Sequence, residues 1–176
     1  MNLLHLPPGP KPPDSVWMIV EIPRGGVAKY EYDVKLEAFR LDRVLYSSVH
    51  YPAAYGFIPG TAAPDGDPTD ILAIVSEPLV VGAVLEARPV GLLRMEDEKG
   101  VDEKILAVAV ADPLNEGIRE LPQVPPHLLR EIEHFFTIYK DLEGSKRAQT
   151  FGWEAKGKAF GVINEDIKRY RKAAKK

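Results

Sequence analysis

Hydrophobic and polar positions alternate in short runs over the first two thirds of the chain, and this pattern predicts a series of β-strands. Alternation with a period of two is typical of a strand that buries one face. Glycine, proline and aspartate residues separate the runs, and this spacing favours a β-barrel or a β-sandwich. The predicted strands cover residues 17–22, 29–33, 39–45, 71–75, 84–93 and 104–110.

An apolar stripe at helical spacing predicts a helix over about residues 126–143, opened by Pro125 and Pro126. A second, shorter stripe predicts another helix over about residues 162–172. No internal repeat separates a second domain. We therefore expect one α+β domain over residues 1–176, mainly β, with the barrel first and two helices last.

The first residues predict an arm rather than a targeting segment. Five prolines between Pro7 and Pro13 favour an extended arm over residues 1–14 that lies on the body or moves freely. This arm lacks the basic region and the long apolar core of a secretory signal. Residues 79–93 form the longest apolar-rich stretch, but they contain charges and a proline, so they cannot supply the roughly 20 apolar residues of a membrane span. We expect a cytoplasmic protein without a membrane partner.

The composition is that of a globular protein and restricts the chemistry. With 45% hydrophobic and 28% charged residues in 176, disorder and coiled coils are poor fits. The chain has no cysteine, which excludes disulfides, thiolate metal sites and a cysteine nucleophile. A metal must therefore be bound through oxygen or histidine, and the four histidines show no metal-ligand spacing.

Charge is distributed unevenly along the chain. Six of the 23 basic residues lie in residues 168–176, where we predict a basic helix end favoured by the helix dipole. The other 17 basic residues stand against 26 acidic ones, so the body of the protein is acidic. Residues 65–103 alone hold ten carboxylates against three cations. Such a segment repels a nucleic-acid backbone.

The densest chemical signal is the sequence DGDPTD, in which Asp65, Asp67 and Asp70 emerge from a turn forced by glycine and proline. An EF-hand loop is excluded, because its sixth position should be glycine and is Asp70, while its twelfth should be glutamate and is Ser76. A surface acidic loop and a site for hard cations remain as interpretations.

A second acidic cluster, MEDEKGVDEK, contains Asp97, Asp102 and Lys104. The apolar strands between the two clusters can bring both to one barrel mouth. Magnesium prefers oxygen ligands and keeps several waters, so a few carboxylates can hold several ions if an anionic substrate supplies further ligands. The two clusters therefore predict a phosphate ester or anhydride as substrate.

Single cations and phenols of a phosphate-binding kind accompany the acidic clusters. Arginine offers phosphate a bidentate fork and lysine a compact point charge. For Tyr139 core packing is the simpler interpretation, and for Lys140 a solvated helix position. The candidates are Lys29, Arg43, Tyr51, Tyr55, Tyr139 and Lys140.

These elements follow one another in a fixed order along the chain. They are Glu21, Lys29-Tyr30-Glu31, Asp42-Arg43, Tyr51-Pro52, Tyr55-Gly56-Phe57-Ile58-Pro59, Asp65-Gly66-Asp67-Pro68-Thr69-Asp70, Asp97-Glu98-Lys99-Gly100, Asp102, Lys104 and Tyr139-Lys140-Asp141-Leu142-Glu143. The set closely resembles family I soluble inorganic pyrophosphatases of the bacterial type, over roughly residues 16–153. The DGDPxD element is specific by itself.

The resemblance implies a five-stranded OB-type barrel with two flanking C-terminal helices, and hydrolysis of pyrophosphate to two orthophosphates. It implies direct attack of a water activated by several Mg²⁺ ions, with Mn²⁺ or Zn²⁺ as substitutes. Asp67 matches the acceptor of the water's proton. The matches to metal ligands are Asp65, Asp70, Asp97, Asp102, Glu21 and Glu31. The matches to phosphate-binding positions are Lys29, Arg43, Tyr55, Lys104, Tyr139 and Lys140. Further candidates are Tyr51, Glu98 and Lys146.

Three positions depart from the family pattern. Ala54 stands where a polar residue is usual, and Thr69 where an aliphatic one is usual. Lys146 follows Gly144-Ser145 where a glycine-lysine pair is commoner, so its match is less secure. The resemblance also implies a homohexamer, a dimer of trimers.

Two other functions are open to an acidic barrel of this kind. An OB-fold can bind single-stranded nucleic acid through a basic groove with stacking aromatics, and Tyr51, Tyr55 and Phe57 are available for stacking. The adjoining carboxylates oppose that interpretation, so we expect no nucleic-acid partner. A metal-dependent phosphohydrolase acting on nucleotides is the second alternative, and it would need a base pocket.

Overall fold

The computed structural model describes residues 2–144 and 147–174. The strands within them are β1 (Val16–Ile22), β2 (Ala28–Asp33), β3 (Ala38–Val44), β4 (Ala54–Ile58), β5 (Thr69–Ile74), β6 (Val84–Asp97), β7 (Gly100–Val101), β8 (Lys104–Ala109) and β9 (Ala148–Ala155). The α-helices are α1 (Pro126–Ile138) and α2 (Lys156–Ala173), and short 3₁₀ helices cover Leu3–His5, Pro113–Asn115 and Leu121–Gln123.

Five strands pair in the order β1-β4-β5-β8-β6, and β6 pairs again with β1, so that their hydrogen bonds form a closed ring. Only β5 and β8 are parallel within this ring, and the other pairs are antiparallel. The mainly β fold with five ring strands and two C-terminal helices confirms the predicted fold class. No helix among the described residues is long and apolar enough to span a bilayer.

Strand β6 closes the ring because it is long enough to serve several neighbours. Its first residues pair with β1, its middle with β8, and its last with β9 and β7. Its register shifts between Pro89 and Gly91 and again between Leu93 and Met95. Such irregularities bend a strand and increase its twist, which a closed ring requires.

Two apolar cores lie on opposite faces of the ring strands. In β5, Leu72 and Ile74 belong to the core that packs against α1, while Ile71 and Ala73 belong to the core that packs against α2. A strand that is buried on both faces reads as a continuous apolar run. The run after Asp70 is therefore explained by helices covering both sides of the strand.

Strands β2 and β3 form a separate two-stranded sheet outside the ring. Their pairing sets Lys29 opposite Arg43 and Glu31 opposite Arg40. One face of this hairpin therefore carries a row of charged side chains.

The proline-rich arm is held on the body. The Trp17 amide donates to the Pro8 carbonyl at 2.9 Å, and the Gly60 amide donates to the Leu4 carbonyl at 3.0 Å. His5 Nδ1 lies 2.7 Å from the Tyr170 hydroxyl on α2. Of the two arrangements predicted for the arm, contact with the body is the one observed.

Both helices differ in length from their predicted ranges. Helix α1 ends at Ile138 rather than near residue 143, because the next residues form turns with bonds from the Asp141 amide to the Ile138 carbonyl and from the Glu143 amide to the Lys140 carbonyl. Helix α2 begins at Lys156 rather than near residue 162. Its glycines interrupt the apolar stripe that the prediction used, although Ala159 in that first part is fully buried.

Strands β4 and β9 were not predicted. β4 contains Gly56 and β9 contains Gly152, residues that are unfavourable in isolated strands. In β4 the glycine is required by its neighbour, because a Cβ atom there would lie 1.8 Å from the Ile19 carbonyl oxygen of β1. The close approach of β1 and β4 therefore depends on Gly56.

We expect Gly56→Ala to destabilise the protein by more than about 3 kcal/mol, since the clashing atom belongs to the backbone and cannot move aside. The thermal midpoint should fall by roughly 10 °C. Gly161→Ala in α2 is the matched control, because open space surrounds that position. It should stabilise by up to about 1 kcal/mol. Equal midpoints for the two variants in a thermal melt would contradict the packing argument.

Candidate active site

A groove of about 1250 Å³ lies between the hairpin β2–β3, the loop before β5, the turn between β6 and β8, and the end of α1. It gathers nearly all of the predicted site residues. They are Glu21, Lys29, Glu31, Arg43, Tyr55, Asp65, Asp67, Asp70, Asp97, Glu98, Asp102, Lys104, Tyr139 and Lys140. Tyr51 does not line the groove, and Lys146 lies outside the described residues.

The loop between β4 and β5 presents the first acidic cluster. Gly66 has φ +97, which permits the tight turn between Asp65 and Asp67. The Asp67 amide donates to Asp65 Oδ1 at 3.0 Å, and the Ala63 amide donates to the Asp67 carbonyl at 2.7 Å. Partial burial and repulsion from Asp65 raise the pKa of the Asp67 carboxyl. The Asp67 carboxylate is therefore a stronger base than an ordinary aspartate.

Lys104 stands between two of the carboxylates. Parallel pairing of β5 and β8 brings Asp70 beside Lys104, whose ammonium donates to both Asp70 and Asp102. The lysine is only 3% exposed, and its nitrogen lies 5.7 Å from the Tyr55 ring centroid. Burial opposes its charge, but the two carboxylates raise its pKa above the ordinary value. Burial, together with repulsion from Asp70, raises the pKa of Asp102 to about 6.

Lys140 forms a second buried contact between opposite charges. Its ammonium donates to Asp97 at 2.9 Å and to Glu98 at 3.1 Å. Burial disfavours the charged carboxylates, but the bond from Lys140 lowers the pKa of Asp97, and a backbone hydrogen bond together with Lys140 lowers the pKa of Glu98. Lys140 is buried in the turn after α1, so the solvated helix position considered from the sequence was wrong.

Three tyrosines form an aromatic wall behind the charged groups. Tyr139 stacks on Phe135 with ring centroids 5.3 Å apart, and Tyr51 lies 4.6 Å from the same ring. Tyr55 and Tyr51 are 5.4 Å apart. Burial raises the pKa of all three phenols well above 10, so each remains neutral and keeps a hydroxyl proton to donate. Tyr139 thus combines core packing with a place on the groove.

Arg43 on β3 is held by two carboxylates. Its Nε donates to Glu143 at 2.8 Å, and its Nη1 donates to Asp42. The Glu143 side chain is 3% exposed, so this contact is almost dry. Sequence reasoning assigned no role to Asp42 or Glu143. Their position inside the matched motifs was the available signal, but their pairing with Arg43 is a tertiary contact.

Glu21 is buried at the end of β1. Its carboxylate accepts a hydrogen bond of 2.9 Å from the Tyr32 amide of the hairpin. Desolvation raises its pKa to about 8, although the Tyr32 amide and Lys29 favour the charged form. A carboxyl group with a raised pKa gains more from a nearby cation than an ordinary one does, so Glu21 is suited to bind a cation.

The donor set of the groove fits hard cations. No three histidine, aspartate or glutamate side chains converge on a single point in residues 2–144 and 147–174. Instead the carboxylates form adjoining pairs, and Mg²⁺ is usually bound by one or two carboxylates with water and substrate phosphate completing its shell. Desolvation and mutual repulsion destabilise the charged forms of Asp67 and Asp102 and raise their pKa values. A bound cation would offset both effects.

Comparison with known proteins gives one consistent result. A family model described as inorganic pyrophosphatase matches residues 18–171. An inorganic pyrophosphatase of Methanosarcina acetivorans is 50% identical over 153 residues, covering 87% of this chain and 90% of the relative. The crystal structure of inorganic pyrophosphatase from Thermus thermophilus superposes with a TM-score of 0.95 at 46% identity, covering 97% of this chain and 99% of that one. One from Helicobacter pylori gives 0.88 at 41% identity, covering 90% and 94%.

We expect Lys104→Met to destabilise the protein in EDTA by about 3–5 kcal/mol at pH 8, because Asp70 and Asp102 then face each other without a counter-charge. The loss should shrink as the pH falls towards about 6, because removal of the Lys104 charge raises the pKa of Asp102 above the value of about 6 that it has beside the lysine, so that the variant binds this proton first. The sign follows from linkage, since the pKa of Asp102 is raised on folding and protonation therefore favours the folded state.

Urea unfolding at pH 8 and pH 5 measures this difference. Lys35→Met, at an exposed position on the hairpin turn, is the matched control and should lose little stability at either pH. A loss at Lys104 that is the same at both pH values would contradict the electrostatic explanation.

Proposed function

Because the chain belongs to the inorganic pyrophosphatase family, and is thus a hydrolase of inorganic pyrophosphate, we propose that it splits pyrophosphate by direct attack of water on phosphorus. The carrying observation is the convergence of two acidic clusters with buried lysines and an arginine on one groove. Carboxylates alone would repel a phosphate anhydride, and cations alone would hold it without activating water. The groove supplies both kinds of group.

We assign the divalent ions, with Mg²⁺ first and Mn²⁺ or Zn²⁺ as substitutes, to the carboxylates of Asp65, Asp70, Asp97, Asp102, Glu21 and Glu31. When bound, such ions make water more acidic and neutralise charge on phosphate oxygens. For Asp70, Asp97 and Asp102, the protein's part is to keep the carboxylates close together and charged. The ammonium groups of Lys104 and Lys140 serve this purpose, because both lie within hydrogen-bond reach of the acidic side chains.

Asp67 acts as the general base in this proposal. The water oxygen forms a bond to one phosphorus, the bond from that phosphorus to the bridging oxygen breaks, and the water's proton passes to Asp67. A carboxylate with a raised pKa accepts a proton more readily than an ordinary one, and the pKa of Asp67 is raised by partial burial and by Asp65. The loop bond from the Asp67 amide to Asp65 holds the base in place.

The leaving phosphate is stabilised by fixed donors. Arg43 presents a guanidinium whose orientation is set by Glu143 and Asp42, and such a fork suits phosphate oxygens. The neutral phenols of Tyr55 and Tyr139 add hydroxyl donors that need no rearrangement. Lys29, Lys104 and Lys140 supply point charges.

Pyrophosphate is the substrate that we propose for this groove. We expect neither a nucleic-acid partner nor a membrane partner. The groove carries more carboxylates than cations, so a nucleic-acid backbone would be repelled. We place the protein in the cytoplasm and regard residues 1–176 as one domain with its arm at 1–14 and its basic helix end at 168–176. Within the arm and the helix end, residues 1, 175 and 176 lie outside the described part of the chain.

We expect Asp67→Asn to lower kcat by about 100-fold or more while pyrophosphate binding survives, because asparagine keeps the shape but cannot take the proton. Orthophosphate release across a Mg²⁺ titration, with ATP as competing substrate, measures the loss. Asp14→Asn, an exposed position in the arm, is the matched control and should keep full turnover. Unchanged turnover of Asp67→Asn at saturating Mg²⁺ and pyrophosphate would refute the assigned role.

We also expect a homohexamer, built as a dimer of trimers. The hairpin region exposes an unusual number of large apolar side chains, among them Leu36, Leu41, Val44 and Tyr46. Exposed apolar groups of this kind are typical of association surfaces. Light scattering should give six times the 19.5 kDa of one chain. A monomeric mass at micromolar concentration would contradict this assembly.

A further inference from the structure

Thr69, which departs from the aliphatic residue usual at its position, forms a buried polar contact with α2. Its hydroxyl donates to Asp166 Oδ2 at 2.8 Å, and the two residues are 2% and 3% exposed. Its amide donates to the Thr61 hydroxyl at 2.9 Å. Thr69 immediately precedes Asp70, so this contact fixes the backbone that carries a proposed metal ligand.

Asp166 also holds the other end of the acidic loop. Its backbone carbonyl accepts a bond of 3.1 Å from the Ala62 amide. Arg169, one turn further along α2, donates both to the Asp166 carboxylate and to the Ala62 carbonyl. The loop 61–70 is therefore attached to α2 near its start, at residue 62, and near its end, at residue 69.

Inside the loop, hydrogen bonds connect the attached segment at residue 62 to Asp67. The Ala63 amide, next to Ala62, donates to the Asp67 carbonyl at 2.7 Å, and the Gly66 amide donates to the Ala63 carbonyl at 3.0 Å. The positions of Asp65 and Asp67 thus depend on the same short segment that α2 holds. A shift of α2 relative to residue 62 would move both carboxylates.

Packing alone does not explain this arrangement. A valine at residue 69 would fill the same space and would leave no need for a carboxylate on α2. Burying a carboxylate is costly unless it is fully hydrogen-bonded, and Asp166 is satisfied by Thr69 and Arg169. The polar contact is directional, whereas an apolar one is not.

We infer that Thr69, Asp166 and Arg169 are positioning residues that hold the loop 61–70 in its cation-binding form. This inference rests on the proposed function, since it concerns the same carboxylates. Some groups orient metal ligands without binding the metal themselves. Their removal usually lowers metal affinity or activity by about 10- to 100-fold. A loop that is ordered in advance also loses less entropy when it binds.

The test compares Thr69→Val with Thr69→Ser, which keeps the hydroxyl. Calorimetry gives the Kd for Mg²⁺ without substrate, and hydrogen exchange of residues 61–70 in EDTA reports loop order. Thr69→Val should weaken Mg²⁺ binding about tenfold and speed exchange in this loop, while Thr69→Ser should restore both. Thr137→Val, whose hydroxyl lies on α1 and donates to the Glu133 carbonyl, is the matched control and should change neither.

A merely structural contact would lower the thermal midpoint of Thr69→Val and leave its Kd for Mg²⁺ unchanged, and that result would overturn the inference alone. Absence of Mg²⁺ binding by the unsubstituted protein would overturn both the proposed function and the inference. If Thr69→Val does not fold, Arg169→Lys decides, because the side chain at this position is half-exposed and lysine keeps a positive charge beside Asp166 but lacks the guanidinium that joins Asp166 to the Ala62 carbonyl. An unaltered Kd in Arg169→Lys would then overturn the inference.

Discussion

The mutual repulsion of carboxylates is the constraint on which this groove depends. Asp70 lies on β5 and Asp102 lies two residues before β8, and the two carboxylates face each other across a gap that Lys104 fills. Because the lysine is almost completely buried, its charge is weakly screened by solvent and acts at full strength on both neighbours. The strands can lie side by side because this cation is built in, and the same carboxylates remain available to an added metal.

The other opposite-charge contacts follow the same principle at the rim. Lys140 balances Asp97 and Glu98 after α1, while Glu143 and Asp42 balance Arg43 on the hairpin. Lys104, Lys140 and Arg43 thus each have a partner of opposite sign on another segment of the chain. The groove carries strong charges that are fixed in place by one another, which is the arrangement expected where a charged transition state is stabilised by a preorganised environment.

The sequence predicted the chemistry better than the limits of the elements. The six-residue acidic motif and its companions are local, so their order indicated the fold, and almost all of the residues predicted for the site line the groove. Strand β4 and the start of α2 were missed because Gly56 and the helix glycines break the pattern. The close approach of β1 explains Gly56, whereas open space surrounds Gly157 and Gly161. The pairs Arg43–Glu143 and Thr69–Asp166 join residues 100 and 97 positions apart, and no local pattern reports such contacts.

Ring closure through β6 also bears on how fast the protein folds. The pairing of Val16 with Ala87 joins segments far apart in the chain, as does the parallel pairing of β5 with β8. Non-local pairings of this kind slow folding, because a long loop must close before any contact stabilises it. Asp70 and Asp102 come together only when β5 and β8 pair, and the same pairing brings Lys104 beside both of them.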